Sequence, residues 1–258
     1  MRHARVLVLC IAAWVLGTHC LASPLDELLA RTSRSVELFW QQVPSFTCME
    51  LVTQEKIKGR REKIEYKQES LFDYLALTKD QDGSLTVEEL RLQQNKEMDK
   101  PNKPSLLITN GFPTLLLIFH PQYQADYRFQ IEPARAGEGN LTGIRFEHIP
   151  GMPSTCALML RDRIYPLELQ GTAWVDNETG AIQKIDAGLI APMKDINIKA
   201  FDVEVTYKPQ LFQSEHEAKW LPSSAVINIQ TALQHWRNIH LFSQYKRFTV
   251  ESSETTSH

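Results

Sequence analysis

Residues 78–89 read TKDQDGSLTVEE, and the fold turns on whether this stretch is a calcium loop between two helices or a tight turn between two strands. A twelve-residue calcium loop draws carboxylates from its first, third and fifth positions, glycine from its sixth and glutamate from its twelfth. Asp80, Asp82, Gly83 and Glu89 match, but Thr78 stands first and offers no carboxylate. Upstream, SLFDYLALT alternates Leu71, Asp73, Leu75 and Leu77 with Phe72, Tyr74 and Ala76; aromatic residues at period two suit a strand rather than the helix a calcium site needs. Asp-Gly between two such runs is a hairpin signal, since glycine adopts the left-handed conformation and aspartate bonds the nearby backbone. The stretch is therefore read as a hairpin turn, with a calcium-binding structural protein through residues 78–89 as an alternative.

Working outward, the same period recurs. FTCMELVTQEKIK and REKIEYKQE alternate with charges on one side, as in a half-solvated antiparallel sheet, and in FDVEVTYK Phe201, Val203, Val205 and Tyr207 face one way while Asp202, Glu204, Thr206 and Lys208 face the other. IRFEH, SAVINIQT and HLFSQYKRFTVE continue the pattern, separated by turn signals such as Asp176 to Gly180 and Pro222-Ser223-Ser224. Two segments differ. Residues 24–42, PLDELLARTSRSVELFWQQ, repeat Leu25, Leu28, Leu29, Val36, Phe39 and Trp40 at helical spacing behind a proline suited to a first turn. Leu115 to Phe119 form an unalternated apolar block between Pro113 and Pro121, predicting a short helix, with a buried strand as the alternative. QNKEMDKPNKPS, just before it, reads as an exposed loop. The fold class is α+β, mainly antiparallel β.

The chain has 258 residues and a net charge of −3. Its start, MRHARVLVLCIAAWVLGTHCLAS, sets Arg2 and Arg5 before an apolar run and a small-residue triplet at Cys20, Leu21 and Ala22, the order of a secretory signal peptide cut after Ala22. Residues 1–22 are then the signal peptide, 23–250 a single domain and 251–258 a frayed tail. Loss of the two arginines leaves 26 basic against 31 acidic side chains, a net of −5, so nucleic acid is not an expected partner. Cys48 and Cys156 remain, and an exported protein with two cysteines most simply pairs them. Two buried free thiols are the alternative.

The sequence carries no HExxH, paired CxxC, GxSxG or glycine-rich phosphate loop, and no catalytic residue, metal or cofactor is assigned. His235 and His240 are five apart, a spacing that suits neither one helical face nor one strand face, and read as surface or interface histidines. Asp162, Glu168, Asp176 and Glu178 offer carboxylates for a secreted hydrolase with an acid or histidine site on the sheet rim. The mixed charges of QEKIKGRREKIEYK read as the wet side of a hairpin.

GTAWVDNETGAIQKIDA, residues 171–187, resembles a hairpin of the periplasmic lipoprotein carriers, the LolA/LolB-like superfamily: a strand ending in Val-Asp, a Glu-Thr-Gly turn, and a return strand of alternating aliphatic and charged residues. The resemblance implies an open, curved half-barrel sheet wrapped around an N-terminal helix and a short helical insertion. It further implies a cavity sheltering an acyl chain or other lipid, or a lipidated or envelope protein partner, in a non-enzymatic periplasmic or extracellular protein with peripheral membrane contact. Candidate lining residues are Leu115, Leu116, Phe119, Phe146, Trp174, Phe201 and Tyr207.

Overall fold

The computed structural model describes residues 23–43, 45–59, 62–81, 84–94, 111–132, 139–160, 163–212 and 216–247. The expected signal peptide, the part of QNKEMDKPNKPS beyond Gln94 that reads as a loop, and the expected tail lie outside them.

Helix α1 (Pro24–Gln42) begins where Ser23 and Asp26 close a capping box: Ser23 Oγ accepts the Asp26 N–H at 3.1 Å and Asp26 Oδ2 accepts the Ser23 N–H at 3.2 Å. Its apolar stripe buries Leu28, Val36, Phe39 and Trp40. Among the described residues twelve strands follow: β1 (Ser45–Lys58), β2 (Lys63–Gln81), β3 (Ser84–Gln93), β4 (Tyr127–Glu132), β5 (Leu141–His148), β6 (Ala157–Leu160), β7 (Arg163–Pro166), β8 (Leu169–Asp176), β9 (Ile182–Leu189), β10 (Ile198–Gln210), β11 (Lys219–Thr231) and β12 (His235–Arg247). Ten of them form one open, curved antiparallel sheet in the order β3-β2-β1-β12-β11-β10-β9-β8-β5-β4, with β3 and β4 as its edges. Strands β6 and β7 make a separate hairpin.

The hairpin reading of residues 78–89 holds. Thr78 faces Val87, Asp80 faces Leu85 and Gln81 faces Ser84; Asp82 and Gly83 at the tip lie outside the described residues. Strands flank the turn, so the helices a calcium loop requires are not there. The apolar block is a 3-10 helix, Thr114–Phe119, with all of Leu115 to Phe119 buried. It packs between α1 and the inner face of the sheet.

One-sided burial defines the inner face. Phe46, Cys48, Glu50, Val52 and Gln54 on β1 are buried while their neighbours from Ser45 to Thr53 are half-buried. Phe201, Val203, Val205 and Tyr207 on β10 are buried together, as their spacing predicts. The β8–β9 turn is fixed by Asp176, whose Oδ1 accepts from the backbone of Glu178 and Thr179 and from the Thr179 hydroxyl at 2.8–3.1 Å. Burial works against ionisation there, yet these donors outweigh it and hold the Asp176 carboxyl below its ordinary pKa. The turn ends at Gly180, with φ +73°, packed directly against the α1 backbone. No helix among the described residues is long and apolar enough to cross a membrane.

Candidate functional site

The inner face is not uniformly apolar, and its strands divide it. From β10 to β4 it presents Phe201, Val203, Ile185, Ala173, Ile144 and Phe146. On β3, β2, β1 and β12 it presents Glu89, Arg91, Tyr74, Glu50 and His240. Arg91 grips Glu50 with two bonds, Nε to Oε2 at 2.5 Å and Nη2 to Oε1 at 3.0 Å, and His240 Nδ1 reaches the same Oε1 at 2.7 Å. The guanidinium also lies 4.8 Å from the centre of the Tyr74 ring. Burial pushes the Glu50 carboxyl up, but the His240 and Arg91 bonds win and hold it below the ordinary value. Burial likewise lowers the His240 pKa against the opposing pull of Glu50. The imidazole is therefore neutral, its Nδ1–H donating to Glu50.

Glu89 lies on the edge strand β3. Its Oε1 accepts the Gly111 N–H at 2.6 Å; its Oε2 is buried without a hydrogen-bond partner, 3.7 Å from Arg91 Nη2. Burial raises its pKa, with Arg91 and the Gly111 N–H opposing less strongly. The Gly111 contact is one of several that pin the segment leading into the 3-10 helix across the sheet. Tyr207 Oη donates to the Phe112 carbonyl at 2.9 Å, and the Phe112 ring lies 4.8 Å from His240 and 5.6 Å from Phe242.

Beside this strap lies a cavity of about 270 Å³. Its floor is Phe201 and Val203 of β10 with Leu169 of β8, and one wall is Phe112, Thr114 and Leu115. The β6–β7 hairpin and its flanks supply Cys156, Leu158, Ile164 and Leu167 on the other side, and Val87 and Glu89 of β3 complete the lining. Ile164 is 68% exposed, placing the mouth at the hairpin. The segment before β6 is held by Ser154 Oγ, which donates to the Cys156 and Leu167 carbonyls at 2.9 and 2.7 Å, and by a 2.9 Å bond between the Tyr127 and Thr155 hydroxyls.

Of the seven candidate lining residues, Leu115 and Phe201 border this cavity. Leu116, Phe119, Phe146 and Tyr207 are buried in the core that supports it, Phe119 meeting Phe146 edge-to-face at 5.8 Å. Leu116 also lines an open groove between α1 and β11. Trp174 is misplaced by the sequence reading: it lies on the opposite face of the sheet, paired laterally with Lys184 and Gly143, its indole N–H directed at Asp186 Oδ2 at 3.3 Å. Its neighbours Ala173 and Val175 point inward instead.

The expected Cys48–Cys156 disulfide is also corrected. Both are buried free thiols in different surroundings. Cys48 lies on β1 near Tyr245 and Glu50, and burial followed by the Glu50 charge pushes its pKa to about 12. Cys156 lies on the cavity wall beside Thr155 and Thr114, its pKa pushed by burial to about 11.

Among the described residues the rim carboxylates form no buried pair, and Glu168 is exposed. Asp176 serves its turn, Glu178 is exposed beside it, and Asp162 lies outside the described residues. No group of three or more His, Cys, Asp or Glu among the described residues is placed to hold a metal ion. Glu50, Glu89, Arg91 and His240 were missed as a group. His240 was taken for a surface or interface residue, yet the alternation of β12, with Asn238, His240 and Phe242 buried in step, carries the signal that would have placed it inside.

No family model matches the sequence, and no curated protein does. Among solved structures the chain is similar to a DUF1329 family protein from Desulfovibrio piger, with 9% identity over 92% of this chain and 98% of that one at a TM-score of 0.46. It is also similar to an outer membrane lipoprotein-sorting protein domain from Vibrio parahaemolyticus, with 11% identity over 88% of this chain and 95% of that one at a TM-score of 0.39.

Proposed function

We propose that the protein is an exported, non-enzymatic carrier that holds one hydrophobic chain, free or as the lipid part of an envelope lipoprotein, in the cavity beneath the β6–β7 hairpin. The observation that carries this reading is the cavity itself, a mostly apolar hollow of about 270 Å³ lined by strands of the sheet on one side and by a short separate hairpin on the other. Its size is just below the range for small-molecule sites, roughly 300 to 1,000 Å³, which suits a single alkyl chain of medium length. Burial of each methylene contributes about 0.8 kcal/mol. Eight to ten buried carbons then give roughly 6 to 8 kcal/mol before the cost of association, an affinity no tighter than about micromolar. The basic and apolar start of the sequence supports export, and an envelope location follows from that reading.

The test is uptake of the fluorescent apolar probe 1-N-phenylnaphthylamine and its displacement by decanol. The protein is expected to enhance the probe's fluorescence saturably, and Val203→Phe, which pushes a ring from the floor into the chamber, to weaken binding at least tenfold while the far-ultraviolet circular dichroism stays β-rich. Equal binding by a folded Val203→Phe protein would place the probe elsewhere and refute the cavity as the site.

A further inference from the structure

The proposed carrier reading leaves one group of the chamber unexplained. Glu89 is a carboxyl in the lining of a mostly apolar cavity, with its side chain only 2% exposed. One of its oxygens is used, by the Gly111 N–H, and the other is buried with no hydrogen bond. Its counter-charge is shared with Glu50. The nearest cation, Arg91, is spent on Glu50 through two short bonds, and its contact with Glu89 is a looser 3.7 Å. The other groups facing Glu89 are the Cys156 thiol and the Tyr74 phenol, both kept neutral by burial; the Tyr74 hydroxyl is directed at the carboxyl and lowers its pKa, but falls short of a full hydrogen bond. Glu50 and Arg91 together carry no net charge, so an ionised Glu89 leaves this group of described residues with one net negative charge. An unpaired charge in such a place is costly, and a bare buried acceptor costs about 1 to 3 kcal/mol. Something that brings a donor or a positive charge into the cavity removes that cost.

Resting on the carrier reading, we infer that Glu89 is the polar anchor of the cavity and selects a single-chain amphiphile whose polar end is a hydrogen-bond donor, an ammonium above all, with the alkyl body lying along Leu115, Leu158, Leu167 and Phe201. The free Oε2 accepts from that end, and the positive charge supplies an unshared counter-ion. A fatty-acid anion is rejected by the same arrangement, because its carboxylate would lie beside both Glu89 and Glu50, with Arg91, the nearest cation among the described residues, already engaged. The raised pKa of Glu89 agrees with this: in the empty chamber a proton does what the ligand's ammonium does when bound.

Three ligands of one chain length decide the matter: decylamine, decanol and decanoate, each displacing 1-N-phenylnaphthylamine from the purified protein at pH 8 and below its micellar concentration. Decylamine is expected to displace the probe at a concentration at least tenfold lower than decanoate, with decanol between them. In Glu89→Gln, which keeps an oxygen for the Gly111 N–H, the two extremes are expected to fall within threefold of each other. The wild-type ranking stands independently of whether the variant folds. Decanoate binding as well as decylamine, or an undiminished preference in a folded Glu89→Gln protein, overturns the inference while decanol displacement keeps the carrier reading intact. Failure of decanol to displace the probe overturns both.

Discussion

Glu50, Arg91 and His240 form an interior charge cluster whose members depend on one another. With both partners almost wholly out of water, the Glu50–Arg91 pair is weak evidence for net stability but a strong constraint on any change to one member. Arg91→Met is expected to destabilise the protein by about 3 to 5 kcal/mol, because it strands Glu50 in the core with only a neutral histidine. Urea unfolding of the variant against wild type measures this, and a loss under 1 kcal/mol would mean that the pair is not buried as described. His240 gives a pH signature. Its folded pKa lies below its ordinary value, so between the two the unfolded chain holds more protons. Stability therefore rises with pH through that window and flattens above about 6.5, the unperturbed histidine value. The difference in unfolding free energy between wild type and His240→Gln is expected to be constant above that pH and to shift against wild type as pH falls below it. A difference independent of pH from 5 to 8 would show that the imidazole is not held neutral by the fold. Glu89 has the opposite sign, its raised pKa making stability fall as pH rises above the ordinary carboxylate value, but that contribution is common to both proteins.

At the scale of elements, the contact that seats the N-terminal helix on the sheet is the β8–β9 turn. A Cβ added at Gly180 would stand 2.6 Å from the Arg31 carbonyl carbon and oxygen, on a backbone already at φ +73°. Gly180→Ala is thus expected to cost about 2 to 4 kcal/mol and to lower the melting temperature by roughly 5 to 12 °C. An unchanged melting temperature in a calorimeter would show that helix and turn do not touch. Both elements were legible in the sequence, the helix from its 3.6-residue stripe and the turn from Asp-Asn-Glu-Thr-Gly, because each is encoded by neighbours in the chain. Strand β10 was legible for the same reason. Strand β3 was not. There the leucines face out, Leu90 at 54% and Leu92 at 70% exposed, while Glu89 and Arg91 face in. Its alternation is plain in VEELRLQ, but the usual rule that the apolar side is the inner side reverses it. Only the pairing of Tyr74 with Arg91 and of Ala76 with Glu89 shows which way the strand turns. A similar limit explains Trp174, which is buried at 4% exposure yet on the outer face, under Lys184 and Asp186 rather than over the cavity.

For the whole molecule, the hairpin reading of TKDQDGSLTVEE proved decisive, since it makes residues 63–93 two long paired strands and lets the sheet extend to ten. That the sheet stays open is what allows a helix, a 3-10 turn and a small hairpin to lie on one face with a hollow among them. The hollow could not be read from the sequence, because its walls come from β3, β8, β10, the 3-10 helix and the β6–β7 hairpin, segments that meet only in the folded chain. The glutamate that would have completed a calcium site serves instead in its buried lining. The most direct test of the account is a crystal structure of the protein soaked with 10-bromodecanol, with the bromine located by its anomalous scattering. The account predicts a bromine peak inside the chamber between Leu115, Leu158 and Phe201. A peak in the groove between α1 and β11, or none in the chamber at concentrations that saturate binding in solution, would contradict it.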